Sequence, residues 1–298
     1  MESVDTSVRL KPELPFPLLR SERDRDIYDL GTTLLVVSSD RLSAFGCTLP
    51  DAIPGKGCCL TRIAKFWFNA TRDIVPNHLV HADSARLSEE LLPFRDTLAG
   101  RSVLARKLQP IALGCTVRGY LAGSAFEEYQ AKGSVCGIVL PPRIKVAARL
   151  PEPIFTPSVS VEGSRRNITM AEMMELVGAH MTMKLKECSL ALYMRGYHLA
   201  WERDIILADA RFEFGRLENG RLILADEALT PDTSRYWAED CWTPGSMPPS
   251  LDKRCLQEYL ATRRDWNGTP PAPHLPPGIV EDIRSGYLNL ARSFGAAS

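Results

Sequence analysis

Four charged residues, Asp209, Arg211, Glu213 and Asp226, fall within one stretch, Ile205 to Trp237, that reads IILADARFEFGRLENGRLILADEALTPDTSRYW. Two apolar, β-favouring runs flank Asn219-Gly220. Asn-Gly between such runs is a strong hairpin signal, because a type I′ turn needs positive φ at both central residues. With those two residues as the turn, Glu218 is expected opposite Arg221 and Glu213 opposite Asp226. Strand side chains alternate faces, so Asp209, Arg211, Glu213 and Asp226 are expected on one side, with Phe212 and Phe214 turned toward a core. Like charges directly opposed destabilise a sheet. Two carboxylates so placed call for a cation between them, and oxygen ligands suit Mg²⁺, usually with help from substrate phosphates. The same pattern also suits a solvated hairpin face whose acids are incidental.

The elements that must carry these residues can be read in coarse form. Leu34 to Ser39 (LLVVSS) reads as a buried strand behind a Gly31 turn, and with RDIYDLG it predicts a hairpin in an N-terminal sheet. Residues 60–70 (LTRIAKFWFNA) show helical spacing, with Thr61 as the expected cap. SVLARKL and IALGCTV read as strands on either side of Gln109-Pro110. Pro-rich residues 141–157 are expected to form a connector. Thr169 and Glu172 make a capping-box pattern ahead of a helix running to about Trp201, whose stripe of Leu185, Cys188, Leu192 and Leu199 faces a core. Residues 269–278 (TPPAPHLPPG) read as a polyproline-like spacer before a last amphipathic helix, Ile279 to Phe294. Strands first and helices later indicate an α+β architecture with a cleft.

Composition narrows the function classes. A chain of 298 residues can bury a sizeable core. It carries 36 basic and 36 acidic residues, net charge zero, without the clustered Lys/Arg of a nucleic-acid or membrane surface. Neither partner is expected. MESVDTSVRLKPELPFP has no apolar core of a signal peptide, and no run approaches the ~20 apolar residues of a membrane span, so a cytoplasmic location is expected. The eight cysteines are scattered without a CxxC pair, which favours buried, reduced thiols over a zinc site. His78 and His81 have no third ligand nearby in sequence.

ILADARFEFG followed by LADEALTPDTSRYW resembles the signature of the SAICAR synthetase (phosphoribosylaminoimidazole-succinocarboxamide synthase) family of purine biosynthesis. The likeness extends over nearly the whole chain, through RDIYDLG, SDRLSAF, IPGKG, VRGYLAGSAFEEYQ, GSVCGI and LPEPIFTPS. It implies two domains: residues 1–112, an antiparallel-sheet domain for nucleotide, and 113–298, a larger α/β domain carrying substrate and metal sites, with a cleft similar to ATP-grasp and kinase-like folds. It also implies ATP, Mg²⁺, and small-molecule ribonucleotide and amino acid substrates; it leaves the oligomeric state unspecified. In the family reaction, ATP phosphorylates the carboxylate of carboxyaminoimidazole ribonucleotide and the amine of L-aspartate displaces phosphate.

The resemblance assigns residues as well. Arg118, Ser124, Ser234 and Arg235 match the family's holders of the ribotide phosphate, and Glu213 and Asp226 its Mg²⁺ ligands. Asp209, Arg211 and Lys56 are implied in catalysis. Asp40, Arg41, Ser43, Arg165, Arg166 and Asn167 are implied on the substrate side, and Arg23 and Arg25 at ATP.

Several positions depart from the family pattern. Glu22-Arg23 stands where Gly-Lys is usual, Arg211 where Lys is usual, and Gly46 where Asp is usual. Ala112-Leu113-Gly114 replaces Pro-Ile-Glu, and Arg165-Arg166 replaces an acidic pair. Glu22 is expected to oppose polyphosphate and weaken ATP binding, while the paired arginines would favour a more anionic second substrate. Three readings follow. The family reaction is intact; or the chain is a diverged paralogue acting on a purine-related ribonucleotide in nucleoside antibiotic biosynthesis; or it binds ribonucleotide without catalysis.

Overall fold

A computed structural model describes residues 8, 10, 12–22, 24–81, 89–161, 164–252 and 254–295. In chain order the first elements are β1 (Leu18–Ser21), β2 (Arg25–Asp29), β3 (Thr33–Ser38), β4 (Arg41–Ala44), β5 (Cys47–Ala52), α1 (Lys56–Ala70), β6 (Leu79–His81), α2 (Arg95–Leu98) and β7 (Ser102–Arg106). They build an antiparallel sheet in the order β1-β2-β3-β7-β6, with β4 and β5 paired separately. Tyr28, Leu35 and Val37 are buried on one face of this sheet, against Leu91 and Leu98.

The remainder supplies β8 (Gln109–Pro110), β9 (Gly114–Tyr120), α3 (Ser124–Lys132), β10 (Ser134–Val135), β11 (Ile138–Val139), β12 (Arg149–Val161), β13 (Ser164–Asn167), α4 (Met170–Val177), α5 (Ala179–Trp201), β14 (Ile205–Arg216), β15 (Leu222–Ala225), β16 (Ser234–Ala238), α6 (Arg254–Thr262) and α7 (Pro277–Gly295). Their main sheet runs β13-β12-β9-β14-β15, and β14 also pairs with β16 and β8. The fold is α+β, and β14 pairs with four of the sheet's other six strands, β9, β15, β16 and β8. Its buried side chains, among them Ala210, Phe212 and Phe214, enter the largest apolar core together with Leu185, Leu192 and Tyr193 of α5. Tyr193 fixes the contact by donating its hydroxyl to the Leu207 carbonyl at 2.8 Å. The C-terminal helix α7 packs against α1, where Trp67 and Phe294 lie with ring centroids 4.8 Å apart at a tilt of 50°.

Three expectations are corrected. Helix α1 begins at Lys56, so Thr61 lies inside it, buried and donating to Ser38 Oγ at 3.3 Å. Its first turn is met instead by a distant side chain: Asp40 Oδ1 accepts from the Gly57 amide at 2.9 Å. The expected single helix up to Trp201 is two, divided at Gly178, although its Thr169–Glu172 capping box is present in full. The Pro-rich connector is largely strand β12. Its ladder to β9 skips between Arg149 and Ile154, the interval that holds Pro151 and Pro153, so those prolines sit where no ladder N–H is required. No helix among the described residues is long and apolar enough to cross a membrane. Cys47, Cys58, Cys59, Cys115, Cys136, Cys188 and Cys241 are free thiols.

Candidate active site

Three strands converge on one carboxylate. Asp209 of β14 lies opposite Arg118 of β9 on one side and opposite Arg235 of β16 on the other. Arg118 Nη1 is 3.5 Å and Arg235 Nε 3.4 Å from Asp209 Oδ2. All three side chains are buried. Arg118 is further fixed by donating from Nε to Thr156 Oγ1 of β12 at 3.0 Å. Asp209 therefore acts as the shared counterion that aligns two guanidiniums, leaving the group one positive charge in excess. Such an excess suits an anion, and planar Arg forks suit phosphate.

The loop into α3 completes this pocket. Gly123 has φ +58, and a Cβ there would lie 2.6 Å from Arg235 Nη2. Only glycine lets the loop pass so close to the guanidinium. Ser124 then opens α3, whose N-terminus has no side-chain cap, the Phe126 and Glu127 amides donating to the Gly123 carbonyl at 2.9 and 3.2 Å. Ser234, next to Arg235, is buried beside it. The structure thus gathers Arg118, Ser124, Ser234 and Arg235 from three separate segments.

Along β14, Arg211 bonds Glu213, while Phe212 and Phe214 enter the core. The register of the following hairpin is one residue away from the expected one. Glu213 faces Ala225, not Asp226. Three residues form the loop: Gly220 N donates to Leu217 O at 2.8 Å, and Leu217 N to Arg221 O at 3.1 Å. Gly220 alone takes positive φ, at +78, as in a type I turn followed by a left-handed residue. Asp226 falls past the end of β15, and its own positive φ of 61 turns it toward Arg25, which it bonds. Burial opposes its charge, but Arg25 and then Arg211 outweigh that and hold its carboxyl below the usual range. Arg211 therefore touches Glu213 and acts on Asp226. The two carboxylates are not a cross-strand pair, yet both supply oxygen donors of the kind Mg²⁺ takes from protein beside phosphate oxygens.

A second charged group joins the small sheet to the segment after β15. Arg25 is nearly fully buried, and besides Asp226 it meets Glu227 at 3.0 Å, Glu22 at 3.1 Å and Asp24 at 3.6 Å. Lys56, also buried, meets Asp232 at 2.8 Å and Asp24 at 3.9 Å, and Tyr287 donates its hydroxyl to Asp232. Burial pushes the Glu227 carboxyl up to about 7. Asp24, Glu227 and Asp232 were not singled out by sequence reasoning. The acids of ADEALTPD, clustered beside the hairpin, were the available signal. Arg23 lies outside the described residues. Glu22 is not a bare charge: it is ion-paired with Arg20 and Arg25, and burial raises its pKa.

The remaining assignments separate. Asp40 is wholly buried and meets Arg101 Nη1 at 3.2 Å as well as the start of α1. Arg41 binds Asp26 at 2.9 Å and donates to the Glu22 carbonyl at 3.0 Å. Asp40 thus supports the start of α1, which carries Lys56, and Arg41 supports the loop before β2. Ser43 is buried on β4. Arg165 and Arg166 are exposed on edge strand β13, where Arg166 pairs with Glu172 at 2.9 Å and Asn167 donates to Glu128 at 2.8 Å. Arg165 faces Ser160, four residues beyond the Thr156 that holds Arg118. At the rise of a strand that is roughly 13 Å along β12. The paired arginines are not part of the Arg118–Asp209–Arg235 group.

Comparison with known proteins bears on this geometry. The SAICAR synthetase family model matches residues 19–273. The phosphoribosylaminoimidazole-succinocarboxamide synthase of Desulfosudis oleivorans is 48% identical, over 91% of this chain and 92% of that protein. The synthase of the same name from Syntrophotalea carbinolica is also 48% identical, over 91% of this chain and 92% of its own length. Among solved structures, the SAICAR synthase of Saccharomyces cerevisiae complexed with SAICAR superposes with a TM-score of 0.85 at 36% identity, covering 97% of this chain and 98% of that one. A type-2 SAICAR synthetase in complex with ADP shares the fold, with a TM-score of 0.68 at 19% identity, covering 94% and 98%.

Proposed function

The chain belongs to the SAICAR synthetase family, and we propose that it is an ATP- and Mg²⁺-dependent ligase joining the carboxylate of carboxyaminoimidazole ribonucleotide to the amine of L-aspartate. The observation that carries this reading is the convergence of Arg118 and Arg235 on Asp209 beside the start of α3. Two guanidiniums held around one carboxylate supply the positive charge and the planar donors that suit a ribotide 5′-phosphate. In this reading residues 1–112 serve the nucleotide and 113–298 the ribotide and the metal.

A carboxylate is a poor acyl donor because its leaving group would be oxide. Attack of a carboxylate oxygen on the γ-phosphorus of ATP forms an acyl phosphate and releases ADP. The aspartate amine then attacks the acyl carbon. A C–N bond forms, the C–O bond to phosphorus breaks, and phosphate leaves with the electron pair while the amine loses a proton. Such transfers depend on position and charge neutralisation. Arg118 and Arg235, with Ser124 and Ser234, anchor the ribotide at its phosphate, so the reacting carboxylate has a fixed reach. Glu213 and Asp226 would hold Mg²⁺, which neutralises phosphate charge when bound. Arg211 stands beside both carboxylates, and Lys56 and Arg25 carry positive charge into the acid-lined region around residues 226–232.

The relatives and structures described above carry the name of the family reaction. None points to nucleoside antibiotic biosynthesis or to a protein without catalysis. The test is an assay of the purified protein with carboxyaminoimidazole ribonucleotide, aspartate and Mg-ATP. ADP release that needs all three substrates is expected. Ribotide binding without ADP release would refute the ligase reading.

A further inference from the structure

The C-terminal helix α7 starts at Pro277, beyond residue 273 where the family match ends. It nevertheless reaches the charged group around Lys56. Its residue Tyr287 is buried and donates its hydroxyl to Asp232 Oδ1. The other oxygen of that carboxylate, Oδ2, accepts from Lys56 Nζ at 2.8 Å. The ammonium also lies 5.6 Å from the centre of the Tyr287 ring, within cation–π range. Asp24 follows at 3.9 Å from Lys56, then Arg25 at 3.6 Å from Asp24, and Arg25 bonds Asp226. A row of alternating charge thus runs from α7 to a carboxylate of the hairpin. The helix is closely seated beside this row. A Cβ on Gly286 would lie 2.9 Å from the Leu251 carbonyl oxygen, so α7 touches that backbone one residue before Tyr287. Farther along, Phe294 packs on Trp67 of α1, the helix that Lys56 begins.

We infer that Tyr287 is a positioning residue for the ligase reaction, acting through Asp232 on Lys56; the inference rests on the function proposed above. A lysine ammonium rides on a flexible four-carbon stem and takes its place from its acceptors. A carboxylate can itself turn about its Cβ–Cγ bond. With Oδ1 held by the Tyr287 hydroxyl, Asp232 offers Lys56 one oxygen in one direction. Lys56 then stays between Asp232 and Asp24, and Asp24 is shared between it and Arg25. Without the hydroxyl, Asp232 can turn both oxygens to the ammonium and draw it away from Asp24. Phosphoryl transfer depends on the placement of such cations. The loss therefore falls on the chemical step, whereas the ribotide phosphate is anchored by the separate Arg118–Arg235 group.

The test is steady-state kinetics of Tyr287→Phe with carboxyaminoimidazole ribonucleotide, aspartate and Mg-ATP, well below the unfolding midpoint of each protein. Phenylalanine keeps the ring and its packing and removes the hydroxyl alone. The kcat should fall roughly tenfold, the lower end for a lost hydrogen bond to a charged group, while KM for the ribotide stays unchanged. A hydroxyl that only stabilised the fold would lower the melting midpoint and leave kcat alone. In a Lys56→Gln background the same substitution should cost less than about twofold, because the ammonium it places is gone. Should Tyr287→Phe fail to fold, Gly286→Ala takes its place: its methyl displaces α7 beside Tyr287 and should lower kcat with the ribotide KM unchanged. Wild-type turnover with kcat unaltered in the variant overturns the inference and leaves the ligase reading intact. An equal tenfold loss with and without Lys56 also overturns it, since the hydroxyl would then act by another route. A wild-type protein without turnover overturns the ligase reading, and this inference with it.

Discussion

Asp209 illustrates how a residue's role depends on its neighbours. Its sequence context implies catalysis, and the structure places it between Arg118 and Arg235, where it also serves as their shared counterion; on the proposed function those two arginines hold the ribotide phosphate. Arg118→Ala should therefore weaken ribotide binding by about 1.5–3 kcal/mol, the usual worth of a charge-assisted hydrogen bond, as read by calorimetry. Unchanged affinity would remove Arg118 from the pocket. Gly114 shows a second dependence. A Cβ there would lie 2.7 Å from Ser158 Oγ, so the glycine lets β9 and β12 approach closely at this point, while Arg211 Cδ would stay at an ordinary contact distance of 3.6 Å. Glu227 carries a pH signature. Its pKa is raised by burial from an ordinary 4.5 to about 7. Its contribution to stability is fully present below the unfolded value and is lost as pH rises through about 7. Glu227→Gln should flatten the unfolding midpoint between about pH 4.5 and pH 7; an unaltered slope across that window would show that another group titrates there.

At the level of elements, sequence periodicity was informative wherever local pattern decides the outcome. The β2–β3 hairpin, the capping box at Thr169 and the apolar stripe of α5 all rest on neighbouring residues, and all are present. The hairpin of β14 and β15 shows the limit. Asn-Gly fits both a two-residue turn and a three-residue loop with glycine last, and the choice shifts every pairing by one. The same pair of letters therefore could not say whether Glu213 meets Asp226. Gly220→Ala should cost roughly 1–2 kcal/mol through the left-handed conformation it must adopt, measured by denaturant unfolding. No change would return the loop to an open question. The clusters at Arg25 and Lys56 were illegible for a different reason: their partners lie about two hundred positions away, at Asp226, Glu227 and Asp232, and no local pattern encodes contacts at that distance.

Across the whole molecule, those two buried cations tie the N-terminal sheet and α1 to the loop after β15, while the Arg118–Arg235 pocket is built within the larger sheet. On the proposed function, the first body of charge serves the nucleotide and the second anchors the ribotide, and the acyl phosphate forms where the two act together. The direct test uses carboxyaminoimidazole ribonucleotide labelled with ¹⁸O in its carboxylate, supplied with aspartate and Mg-ATP. One labelled oxygen is expected in the inorganic phosphate released, because the carboxylate oxygen that attacks phosphorus departs with it. Phosphate free of label alongside amide product would contradict the acyl phosphate route; no amide product at all would contradict the ligase assignment itself.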